Sequence, residues 1–193
     1  MAEKFIPGTV VPEGETMRAG MFAMLRPMIA ATNGLTLAQV CAITGLESST
    51  IQNWVKRDFV AHPENKKYYE RHLARILIIS MLRDSLKIDD VGELMRMING
   101  DATDESDDLI PEPELYDCLC EVIAACEDIA VSTPGQSEDE LRALITAAIG
   151  HYHTRGDEAK ERLTVAMLVM VSAYRSSVLK RSAEEYMNRL RGM

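Results

Sequence analysis

The chain has 193 residues, 47% of them hydrophobic, and a formal net charge of −9. That length buries a real core in one large domain or two small ones, and the composition is that of an ordinary soluble globular protein. Four Cys fit a reducing cytoplasm and argue against a disulfide scaffold, while 12 Met beside three Phe and one Trp describe an aliphatic, adaptable core.

The first fifteen residues hold Pro7, Gly8, Pro12 and Gly14 and read as an extended arm. Met17, Met21, Met24 and Met28 then recur at helical spacing, which predicts a helix from near Thr16 whose Met face packs on the rest of the protein or on a second subunit. Pro27 kinks or shortens it, and Asn33-Gly34 ends it. Arg26 and Pro27 interrupt the apolar stretch Met21 to Ala31, so no signal peptide is expected.

Thr36 and Gln39 form a T-x-x-Q capping box, which opens a short helix that stops at Gly45. A second helix covers about Ser48 to Arg57. Its spacing turns Ile51, Trp54 and Val55 inward and Ser49, Gln52, Asn53 and Lys56 outward. Two short helices joined at a glycine are the parts of a helix-turn-helix. Phe59-Val60 and Tyr68-Tyr69 flank the polar segment His62 to Lys67, which suits a two-stranded wing with a tight tip. A third helix carries Leu73, Ile76, Leu77, Ser80 and Met81 along one side, and a fourth covers Ile88 to Ile98 with Asp89 and Asp90 in its first turn.

Residues 100–114 are rich in Asp and Glu and hold two prolines, the composition of a solvated linker. Beyond it, Leu115, Leu119, Val122, Cys126 and Ile129 repeat at helical spacing. Ser137 and Glu140 cap a further helix with Leu141, Leu144, Ile145, Ala148 and Ile149 inward. A last long helix starts near Asp157; its run Leu163 to Val171 is apolar almost all round, which places it at the centre of a bundle or of a subunit interface. The longest apolar run, Leu163 to Ala173, is shorter than the roughly 20 residues a membrane span needs. The expected fold is therefore mainly α. An arm and helix (1–34) precede a helix-turn-helix domain (35–99). An acidic linker (100–114) leads to a helical dimerisation or effector domain (115–193).

The charge is unevenly spread. Residues 1–100 carry 12 basic and 11 acidic residues, whereas 101–193 carry 9 and 19. From Ile51 to Arg83 seven basic residues face three acidic ones, so cations to meet phosphates are available locally. No Gly-rich phosphate loop or nucleophile arrangement marks an enzyme, and no cofactor is expected. Cys118, Cys120 and Cys126 cluster in sequence, but helical positions two apart diverge, so Cys118 and Cys126 read as core; His151 and His153 are no better as metal ligands.

The segment Leu35 to Ile98 resembles the MerR-type winged helix-turn-helix. The turn Thr44-Gly45-Leu46, the pair Thr50-Ile51, the tyrosine after the wing and the stretch Leu73-Ala74-Arg75-Ile76 fall in the same order. Gln52-Asn53-Trp54-Val55-Lys56-Arg57 is similar to the signature of a MerR-like family of bacterial proteins with a domain of unknown function, regarded as transcription regulators with a helical C-terminal region. The resemblance implies a cytoplasmic transcription regulator that binds palindromic double-stranded DNA as a homodimer, with room for a small-molecule effector and no membrane association. Gln52 and Asn53 would read base edges. Lys56, Arg57, Lys66, Lys67 and Arg71 would meet phosphates, and Ser49, Thr50, Asn65, Tyr68 and Arg75 complete the expected contact set. The competing expectation is a protein-interaction module with a degenerate winged helix, docking through the Met17–Met28 face or the C-terminal bundle.

Overall fold

The computed structural model describes residues 6–12, 20–104, 106–126, 138–150, 152 and 156–193. Among these residues the fold is eight helices with no strand: α1 (Met21–Ala31), α2 (Leu37–Thr44), α3 (Ser48–Lys56), α4 (Glu70–Leu82), α5 (Ile88–Asn99), α6 (Glu112–Ala125), α7 (Glu138–Ile149) and α8 (Asp157–Arg191). Thr16, Met17, Ile129, Ser137, His151 and His153, on which sequence expectations rest, lie outside the described residues.

Helix α4 is the centre. Every residue from His72 to Ile79 is buried, as are Met81 and Leu82, and α1, α2, α5, α6 and α8 all pack on it. The sequence periodicity suggests a one-sided helix there, but the run Ile76-Leu77-Ile78-Ile79 gives it apolar surface in every direction. The run in α8 shows the reverse. Leu163, Met167, Met170 and Val171 are buried, whereas Val165 and Val169 are 43% and 40% exposed. One side of α8 therefore packs on α4, α5, α6 and α7, and the other is open. By length and composition α8 is apolar enough to cross a membrane, with 44% of its most apolar window buried in the protein.

Helix α1 keeps only part of the expected Met face inward. Met21, Phe22 and Ile29 are buried, while Met24 and Met28 face solvent. The Phe22 ring meets Tyr116 of α6 edge-on at 5.6 Å, and Asp117 of α6 accepts from the Met21 and Phe22 N–H groups at 3.0 and 3.4 Å. The inner row is thus set by the aromatic residue and Ile29. The helix ends as expected near Asn33, whose φ of 49° supports a Schellman closure, with Asn33 N–H to Ala30 O and Gly34 N–H to Ile29 O.

The acidic run 100–114 is only partly solvated. Ala102, Ile110, Glu112 and Pro113 are buried, and the buried hydrophobic residues on either side of it form one connected core. Cys118 and Cys126 are core, as the helical spacing implies.

Candidate nucleic-acid interface

The helix pair α2–α3 forms for local reasons. Thr36 Oγ1 accepts from the Gln39 N–H, and Gln39 Oε1 accepts from the Thr36 N–H, so the expected capping box is present. Gly45 closes α2 at φ 69°, the left-handed region that a side chain enters only at a cost. A Cβ there would also stand 2.4 Å from Val10 Cγ1. The turn Gly45-Leu46-Glu47 then aims α3 across α2.

Helix α3 buries Ile51, Trp54 and Val55. Ser49, Gln52, Asn53, Lys56 and Arg57 are exposed and Thr50 is half-buried. Trp54 is core and carries the Arg83 guanidinium 5.7 Å above its ring. The helix ends in a second Schellman closure, Asp58 N–H to Val55 O and Phe59 N–H to Trp54 O, with Asp58 at φ 57°. Phe59 then packs on Gly92 of α5, where a Cβ would meet its ring at 2.5 Å. Arg57 is held from two sides, by Asp89 at 2.7 Å and by the face of Phe59 at 4.6 Å.

The wing differs from the expectation. Asn65 and Lys66 both adopt positive φ, the signature of a tight two-residue hairpin turn, closed by paired bonds between Glu64 and Lys67. Beyond that pair no ladder grows. The next rung would join His62 to Tyr69, and the His62 carbonyl lies instead 3.2 Å from His72 Nε2. On its other side the Tyr68 backbone pairs with Leu35 through two bonds of 2.8 Å. His72 Nδ1 accepts the Tyr69 N–H at 3.1 Å, so Nε2 carries the hydrogen and donates to His62. One buried imidazole thus fixes both the start of α4 and the entry to the turn.

The twelve expected contact residues separate into three groups. Ser49, Thr50, Gln52, Asn53, Lys56 and Arg57 share α3. Asn65 and Lys66 stand exposed at the turn, while half-buried Lys67 donates to the Thr32 and Gly34 carbonyls at 3.4 and 3.3 Å. Tyr68, Arg71 and Arg75 point into the protein. Tyr68 is 4% exposed, which removes it from any phosphate-contacting surface; its pKa is raised by burial.

Arg71 and Arg75 lie one helical turn apart on α4 and face the start of α6. Arg75 Nη1 donates to Glu112 Oε1 at 2.6 Å. Arg71 lies 3.4 Å from Glu112 and 3.7 Å from Asp108, and donates to the carbonyls of Asp101 and Asp104. Burial raises the Glu112 carboxyl to about 7 against the pull of the two arginines, and burial also lowers Arg75 from its ordinary value. The acidic segment thus neutralises two cations that the charge count assigns to phosphates. Arg71 and Arg75 sit four residues apart on a helix whose other faces are apolar, but nothing in the sequence shows that the acidic run folds back against them.

Among the described residues no group of three His, Cys, Asp or Glu side chains is placed to hold a metal ion. Burial pushes the Cys118 thiol up to about 12.

Residues 30–119 match the model of a domain of unknown function, DUF1836. The match contains α2 to α5 and most of α6, and so the helix pair, the turn and the buried ion cluster. Over 112 residues the chain is 30% identical to the Uncharacterized protein YkrK of Bacillus subtilis (strain 168), an alignment covering 56% of this chain and 47% of that protein. The chain therefore spans about half the length of the curated relative it matches. No solved structure matches it.

Proposed function

We propose that the chain is a DNA-binding transcription regulator that reads duplex DNA through α3. The observation that carries this reading is the α2–α3 unit itself: a capped short helix, a left-handed glycine, and a second helix with a buried apolar face and an outward row of Ser49, Gln52, Asn53 and Lys56. In this reading α3 lies in the major groove, where the amides of Gln52 and Asn53 suit adenine edges and Lys56 suits a phosphate. The Asn65-Lys66 turn acts as a shortened wing. A homodimer would meet a palindromic site.

Lys56 and Lys66 are the test positions, because both are exposed and neither carries a structural bond in the way Lys67 does. Fluorescence anisotropy with labelled genomic duplexes should give affinity that falls steeply with salt, and Lys56→Glu with Lys66→Glu should remove it. Affinity unchanged by the two substitutions contradicts the reading.

A second reading, a protein-docking module, is favoured by the outward-facing Met24 and Met28 on α1 and by the loss of Arg71 and Arg75 to the interior. Under it, Met24→Lys removes function and Lys66→Glu leaves it intact.

A further inference from the structure

Residues 6–11, expected to lie as an extended arm, close into a compact loop. The Ile6 N–H donates to the Val11 carbonyl, and the Thr9 N–H and hydroxyl both donate to the Ile6 carbonyl, at 3.0 Å each. Three attachments hold this loop to the helical body. Ile6 is 5% exposed and belongs to the common core. The Pro7 carbonyl accepts from the Tyr116 hydroxyl of α6 at 2.7 Å. Gly8 approaches α4 so closely that a Cβ there would stand 2.8 Å from the Leu77 carbonyl oxygen and 2.9 Å from Met81 Cγ. The far side of the loop meets the α2–α3 turn. The Val10 N–H donates at 3.1 Å to the Ile43 carbonyl, one of those that the end of α2 leaves without a helical partner. The Val10 side chain lies against Gly45.

We infer that the loop of residues 6–11 is a wedge that sets the angle of α3 to the helical body, with Val10 and Tyr116 as its positioning residues. The two ends of α3 are held differently. Its C-terminal end is anchored to α5 by Arg57 on Asp89 and by Phe59 on Gly92, and Trp54 carries Arg83. The turn before its N-terminal end is held by the buried Leu46 and by Val10. Loosening the loop therefore lets α3 pivot about its C-terminal end, and the swing is largest at Ser49 and Gln52. The bonds inside the loop make it stiff, so the position of Tyr116 is carried through Pro7 to Val10 and not absorbed on the way. Tyr116 is itself fully buried with its ring edge-on to Phe22, which gives the loop a fixed seat. That the angle of α3 bears on DNA rests on the proposed reading; that the loop sets the angle does not.

Distances between paired spin labels on the full chain test this. Ser48→Cys on α3 and Glu121→Cys on α6, both at exposed positions, are combined with Cys41→Ser and Cys120→Ser, while Cys118 and Cys126 are buried and stay. Glu121→Cys with Val178→Cys on α8 is the control pair inside the body. Tyr116→Phe with Val10→Ala removes the hydroxyl at one end of the loop and the side chain at the other. This double variant should broaden the distribution between positions 48 and 121 and leave that between 121 and 178 as in the wild type. Gly8→Val, which drives the whole loop off α4, should broaden the first distribution further. An unchanged 48–121 distribution in the double variant, or broadening of both pairs together, would overturn the inference. Anisotropy with labelled duplexes and the unlabelled double variant separates this from the DNA reading. If wild type binds, the double variant should bind more weakly, and unchanged affinity beside a broadened distribution would remove Val10 and Tyr116 as positioning residues. If wild type does not bind, the reading of α3 fails and the distances alone decide.

Discussion

Arg75 on α4 donates to Glu112 on α6 at 2.6 Å, with the two side chains 4% and 0% exposed. This bond ties the helix at the centre of the fold to the first turn of the helix that follows the acidic segment. A charge pair this deeply buried is sensitive to losing one partner and tolerant of losing both. Glu112→Leu leaves the buried Arg75 guanidinium without its carboxylate and is expected to cost about 3–5 kcal/mol in urea unfolding. Adding Arg75→Met should recover much of that loss. Equal stability of Glu112→Leu and wild type would mean the pair does not bear on the fold.

The raised Glu112 carboxyl has a pH consequence. Its ordinary value is 4.5 and in the folded chain it is about 7, because burial disfavours the charge. Between those values the folded chain holds a proton that the unfolded chain has released. The contribution of this group to stability therefore falls as pH rises from about 4.5 to about 7, and is flat outside that window. Carbon-detected titration of the Glu112 carboxyl should give a midpoint near 7, and a midpoint near 4.5 would contradict the burial argument.

Gly45 sits at φ 69° between α2 and α3 with Val10 against it. Gly45→Ala should destabilise by about 1–2 kcal/mol from the left-handed backbone alone. Gly45→Ala with Val10→Ala separates the two causes: removing the Val10 methyl groups relieves the contact but not the backbone strain, so the pair should remain less stable than Val10→Ala alone. The readout is the thermal midpoint of each variant.

The parts of the fold legible in the sequence are those fixed locally. The Thr36–Gln39 box, the stop at Gly45, the inward Ile51, Trp54 and Val55, and the inner rows of α6 and α7 follow from caps and periodicity over a few residues. What the sequence hid depends on which elements meet. The Met row of α1 has helical spacing, but Phe22 and Ile29 take the inner side because Tyr116 and α4 lie there. The wing fails to extend because His72 engages the His62 carbonyl and the Tyr69 N–H, the groups that would form the next rung of the ladder. Arg71 and Arg75 leave the candidate interface because an acidic segment folds back onto α4, a long-range fact that counting charges along the chain does not contain.

The α3 surface makes a specific claim about base readout. If Asn53 pairs with adenine, Asn53→Ala should cost about 1–3 kcal/mol at one base position and little elsewhere. Lys56→Ala should weaken binding evenly across sequences and flatten the salt dependence. Competition binding with single-base variants of one duplex distinguishes the two patterns, and a uniform loss for Asn53→Ala would remove it from base readout.

The most direct test of the DNA-binding reading is selection of genomic DNA fragments by the purified full chain at two salt concentrations. Enrichment of one palindromic motif that weakens as salt rises is the expected result. Absence of enrichment at the lower salt concentration would contradict it.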